Sequence, residues 1–129
     1  MVCASAFHLL IYGESFARFG RSPLNRILLL DHDPHHAAAV VAALRSVPCR
    51  TIVVPDLNGA IHLLHVQPVE CAIITCASDT AWHHEIDVIL QAARELPDPP
   101  DIICLLRGPY RGPSDRVYAA RKGFVLIHE

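Results

Sequence analysis

An α/β fold built on one parallel sheet is the architecture this sequence predicts, and three observations predict it. Short, solidly apolar runs recur five times along the chain, as expected of strands buried on both faces. Between them lie segments whose apolar residues repeat at helical spacing. The joins are short and carry Pro, Gly or Asp. Strand and helix alternating in this way give a parallel sheet covered by helices on both faces.

Residues 26–30 form the first apolar run, closed by Asp31-His32-Asp33-Pro34. Asp33 is placed to cap a helix and Pro34 to occupy its first turn. The alanine-rich helix runs over 35–45 and stops before Val47-Pro48. A second strand covers 50–54, ended by Pro55-Asp56, and a second helix 57–66, ended by Gln67-Pro68. The third strand is 71–75. Ser78, Asp79 and Thr80 are candidate caps for a third helix over 81–96, with Trp82, Ile86, Ile89, Leu90, Ala93 and Leu96 on one stripe. Pro97-Asp98-Pro99-Pro100 halts it. The fourth strand is 101–106. Ser114 is expected to cap a short helix over 115–122, with Gly123 in the left-handed position that follows a helix. The fifth strand is 124–127.

Right-handed crossovers and a strand order 2-1-3-4-5 make this a flavodoxin-like three-layer fold. With 129 residues, 52% of them hydrophobic and 19% charged, the chain forms a full core without staples. A net charge of −2 with scattered Lys and Arg argues against a nucleic-acid-binding face. No apolar stretch reaches the length of a membrane span, and the apolar start of the chain lacks the marks of a signal peptide. The five cysteines are odd in number and contain no CxxC pair, which reads as buried thiols in a reducing cytoplasm.

In folds of this kind, sites lie at the carboxyl ends of the strands. Residues 26–129 resemble the receiver domain of bacterial response regulators, on four segments. Arg26-Ile27-Leu28-Leu29-Leu30-Asp31-His32-Asp33-Pro34 is similar to the family's first strand and its acidic end. Val69-Glu70-Cys71-Ala72-Ile73-Ile74-Thr75 resembles the strand that ends in the phosphoacceptor aspartate. Asp101-Ile102-Ile103-Cys104-Leu105-Leu106 and Gly123-Phe124-Val125-Leu126-Ile127-His128 resemble the fourth and fifth strands. The resemblance implies that Asp31 and His32 stand where two acids hold Mg²⁺, with Asp33 a third polar residue. It puts Thr75 at the phosphoacceptor, Leu106 at the switch Thr or Ser, and His128 at the lysine.

Threonine cannot form the acyl phosphate that a carboxylate nucleophile gives. Histidine is a poor Mg²⁺ ligand, and leucine cannot hydrogen-bond a phosphoryl oxygen. The resemblance therefore implies a degenerate receiver pocket. The expectation is a non-phosphorylatable, cytoplasmic pseudo-receiver: a protein–protein interaction and regulatory module in two-component-type signal transduction. It would have no enzymatic turnover, no cofactor, and no membrane or nucleic-acid partner. Its interaction surface would lie around the fourth helix and fifth strand, at Tyr118. The alternative is a small metal-binding or enzymatic domain using the His- and Asp-rich strand ends. Asp31, His32 and His128 are its weak metal candidates, since no Cys or acid at metal-site spacing completes the set.

The family places a last helix after the fifth strand, and this sequence stops at Glu129, so that helix is expected to be missing. An N-terminal extension, 1–25, precedes the domain and carries Phe7, Leu10, Ile11 and Phe16 at helical spacing. Three readings of it stand: it folds back into the vacant place, it pairs with a second copy as a homodimer, or it is a disordered leftover.

Overall fold

The computed structural model describes residues 25–78, 81–109 and 112–129. Within them the chain alternates between strand and helix. The strands are β1 (Asn25–Leu30), β2 (Cys49–Val54), β3 (Cys71–Ala77), β4 (Asp101–Arg107) and β5 (Val125–His128). The helices are α1 (Pro34–Ala43), α2 (Leu57–Val66), α3 (Trp82–Arg94) and α4 (Ser114–Lys122), with a 3₁₀ turn, Leu44–Ser46, tightening the end of α1. All pairings are parallel and the order is β2-β1-β3-β4-β5. This is the expected flavodoxin-like arrangement.

Side chains alternate across each strand, and the alternation divides the core into two layers. On one face Leu28, Leu30, Ala72, Ile74, Cys104 and Leu106 pack against Ala60 and Leu64 of α2, Trp82, Ile86 and Ile89 of α3, and Ala119 of α4. On the other face Ile27, Leu29, Ile73, Ile103, Leu105 and Ile127 pack against Ala37, Val40 and Leu44 of the α1 segment. The strands read as continuous apolar runs because the three central ones are covered on both sides.

Local chemistry sets most element ends. The Asp33 carboxylate accepts hydrogen bonds from the N–H groups of His35 (2.9 Å) and His36 (3.4 Å), and Pro34 opens α1. The Asp56 carboxylate accepts from Gly59 N–H at 2.7 Å and starts α2. Gly123 takes φ +82° and donates its N–H to Ala119 O, closing α4 as expected.

Several boundaries differ from the sequence reading. β3 continues to Ala77 and β4 to Arg107, because the backbone ladder persists (Cys76↔Leu106, Ala77↔Arg107) after the apolar run stops. Thr75 and Leu106 are therefore inside their strands, not at the ends. Ser78 caps no helix: its N–H donates to Arg107 O at 2.6 Å, extending that ladder. Ala81 occupies the cap position of α3 without a side-chain bond, and Asp79 and Thr80 lie outside the described residues. Ser114 is the first residue of α4 and Pro113 its cap. α3 ends at Arg94, and Leu96 is partly buried just beyond it. Phe7, Leu10, Ile11 and Phe16 also lie outside the described residues.

Ile73 is fully buried in the middle strand of the sheet. Replacing it with alanine should cost about 2–5 kcal/mol in urea unfolding. A loss below about 0.5 kcal/mol would contradict this packing.

Candidate functional site

The carboxyl ends of β1, β3 and β4 open into a cleft of about 540 Å³. Asp31 and Thr75 lie on its floor with Cys76, and His32, Asp33, Arg107, Gly108 and Glu129 stand around it.

Its most ordered feature is a chain of buried polar groups. The Asp31 side chain, only 2% exposed, meets His36 Nδ1 through Oδ2 at 2.5 Å. The other ring nitrogen, His36 Nε2, meets Glu129 Oε1 at 2.8 Å. The His36 and Glu129 side chains are 4% and 6% exposed. Two ring N–H groups donate to the two carboxylates, or a carboxyl holds one of those protons. Asp31 Oδ1 accepts Asp33 N–H at 2.9 Å, and Glu129 N–H donates to Leu106 O at 2.9 Å. Arg107 approaches from β4, with Nη1 at 3.4 Å from Asp33 Oδ2 and Nε at 3.9 Å from Glu129 Oε2. The His35 N–H holds the Asp33 carboxyl below the usual carboxylate range; burial opposes it, and the His36 N–H and Arg107 add to the lowering.

His32 turns away from this chain. Its Nδ1 lies 2.6 Å from Pro55 O and its Nε2 3.1 Å from Glu85 Oε1 of α3. Burial alone would lower its pKa and is the largest single influence. The Glu85 hydrogen bond, the Pro55 carbonyl, and the charges of Glu85 and Asp31 together outweigh it and raise the pKa above 6.5.

The cleft thus gathers Asp31, His32, Asp33 and Thr75, four of the six residues singled out in the sequence. It does not gather Leu106, which is fully buried in the layer under α3 and α4, or His128, which is absent from the lining. The chain's own register explains this. Thr75 pairs with Leu105, and Leu105 with Ile127. The next residues on the Thr75 face are therefore Arg107 and Glu129, whereas Leu106 and His128 lie one residue off and face the other side. The sequence reading missed His36, Arg107 and Glu129 as site residues. A signal for His36 existed, since His36, Val40 and Leu44 follow i, i+4, i+8 on the buried stripe of α1.

Thr75 is 5% exposed and its Oγ1 has no hydrogen-bond partner among the described residues, while both nitrogens of His32 are engaged elsewhere. Among the described residues, no group of three or more His, Cys, Asp or Glu is placed to hold a metal ion. The metal candidates Asp31, His32 and His128 are not brought together. Cys71, Cys76 and Cys104 are buried free thiols. Burial pushes the Cys71 thiol up, and contact with Cys76, then burial, does the same to Cys104.

Tyr118 lies on α4 and faces α3. Its hydroxyl donates to Asp87 Oδ1 at 2.5 Å and its ring meets Trp82, His83 and Phe124 edge-on. Burial, then the Asp87 carboxylate, pushes its phenol up to about 12.

The sequence matches no family model and no curated protein. The fold is similar to a solved structure described as the crystal structure of a response regulator receiver protein from Burkholderia phymatum. The TM-score is 0.61 at 16% identity, over 81% of this chain and 82% of that one. The domain thus has a receiver-like fold. No helix among the described residues is long and apolar enough to cross a membrane.

Receivers hold Mg²⁺ at the end of the first strand, and the residues present here do not fit that ion. Mg²⁺ takes an octahedron of oxygens and keeps several waters. The Asp31 carboxylate is sealed from solvent and engaged at both oxygens. The neighbouring position is an imidazole whose two nitrogens point elsewhere.

The raised pKa of His32 gives its contribution a sign. A basic group whose folded pKa lies above the unfolded value stabilises fully below about pH 6.5 and loses that effect as pH rises through the folded value. Because its ring is more than half exposed, the contribution is at most about 1 kcal/mol. The stability difference between the wild type and His32→Gln should be larger at about pH 5.5 than at about pH 8.5 in urea unfolding. Equal differences at the two pH values would contradict the assignment.

Proposed function

We propose that this receiver-like domain is a non-phosphorylatable pseudo-receiver. It acts as a protein–protein interaction and regulatory module in two-component-type signal transduction, with no turnover of its own. The observation that carries the reading is Thr75. It stands at the position the phosphoacceptor takes by resemblance, carries a hydroxyl in place of a carboxylate, and has that hydroxyl buried with no hydrogen-bond partner among the described residues. Phosphoryl transfer depends on positioning and on charge neutralisation by metal. The cleft's carboxylates are instead spent on His36 and Arg107.

The interaction surface in this reading is the α4–β5 side around Tyr118. That side is built as a packed aromatic cluster. His83 stacks on Trp82 at 3.9 Å between ring centroids, and Lys122 lies 5.8 Å from the Tyr118 ring and 3.7 Å from Asp87. Val117, the residue before Tyr118 on α4, is 56% exposed. A protein partner that buries Val117 and the rim of Tyr118 gains apolar contact on a polar helix.

Incubation with acetyl phosphate, or with beryllofluoride, and Mg²⁺ should leave the protein unmodified by intact mass and unshifted by NMR. A Mg²⁺-dependent acyl phosphate on any residue would overturn the reading.

A further inference from the structure

Three carboxylates, those of Asp31, Asp33 and Glu129, come together where β1 ends, α1 begins and β5 ends. Carboxylates so placed repel one another and must be offset. Every one of them meets a nitrogen of this chain. His36 bridges Asp31 and Glu129, and Arg107 reaches from β4 to Asp33 and Glu129.

We infer that His36, through its two hydrogen bonds, and Arg107, as a built-in counter-ion, hold the ends of β1, β4 and β5 and the first turn of α1 together without a divalent cation. The chain itself then sets the cleft in one state. This rests on the pseudo-receiver reading and deepens it by naming what replaces an external switch.

The geometry divides the work between the two residues. His36 acts inside: it and its two carboxylates are almost fully shielded from solvent, where ionic strength screens little. Arg107 acts at the rim, with its side chain 37% exposed. Its charge is permanent, because a guanidinium does not lose its proton in proteins. A bound cation comes and goes with its concentration, but Arg107 cannot leave. Its backbone is fixed as well, paired with Ala77 across the ladder and accepting Ser78 N–H.

The test is the melting temperature of the full chain in EDTA and in about 10 mM MgCl₂ at matched ionic strength, with no phosphodonor present. The wild type should melt at the same temperature in both, within about 1 °C. Arg107→Gln should melt lower in EDTA and recover by a few degrees in Mg²⁺, because the freed carboxylates then gain from a cation. Arg107→Lys, which keeps the charge, should stay insensitive to Mg²⁺. Arg107 is partly exposed, so its variants keep a packed core; His36→Gln tests the buried arm in the same assay. A wild type stabilised several degrees by Mg²⁺ would overturn the inference. So would an Arg107→Gln variant that ignores Mg²⁺, whether or not it melts lower. Either failure leaves the phosphodonor result untouched, so the two readings fail separately.

Discussion

The interaction on which the rest of the site depends is the buried contact of one imidazole with two carboxylates, Asp31–His36–Glu129. Three segments that are remote in sequence meet at this ring: the end of β1, the first turn of α1 and the residue after β5. Charges removed from water are costly unless they are paired and hydrogen-bonded, and each here is. Asp31 takes a backbone N–H from Asp33, its own N–H donates to Val54 O on β2, and the Glu129 N–H donates to Leu106 O on β4. The carboxyl edge of the sheet is cross-braced from β2 to β5 as a result.

The brace continues outward through α3. Glu85 near its start accepts from His32 in the β1–α1 connection. Asp87, two residues on, accepts from Tyr118 of α4. His83 faces Asp115 at 3.5 Å and stacks on Trp82, which fills the layer beneath. One short helix start therefore touches both the cleft and the α4 side. The position of α4 relative to the cleft rests on a few named polar contacts laid over an apolar floor.

The fold was legible in the sequence because its determinants are local. Solid apolar runs, prolines at the joins and an Asp-Pro helix start suffice to place five strands and four helices, and α2 falls on 57–66 in both readings. Strand ends were less legible, since Cys76-Ala77 and Arg107 stay in the ladder by backbone pairing that side-chain character does not announce. Half the site was legible for the same reason: Asp31, His32 and Asp33 follow an unmistakable strand. The far side was not, because it depends on the relative register of β3, β4 and β5. An offset of one residue exchanges Arg107 for Leu106 and Glu129 for His128, and so exchanges a charged rim for a core leucine and a histidine outside the lining. Resemblance by spacing alone cannot resolve a shift of that size, and face alternation from Ile103 and Leu105 could have.

His36 and Glu129 form one unit in this site. A double-mutant cycle with His36→Gln, Glu129→Gln and the double variant, read by urea unfolding, should give a coupling of about 1 kcal/mol or more between the two sites. Effects that add within about 0.5 kcal/mol would mean that the two residues act independently and that the imidazole does not brace the sheet edge.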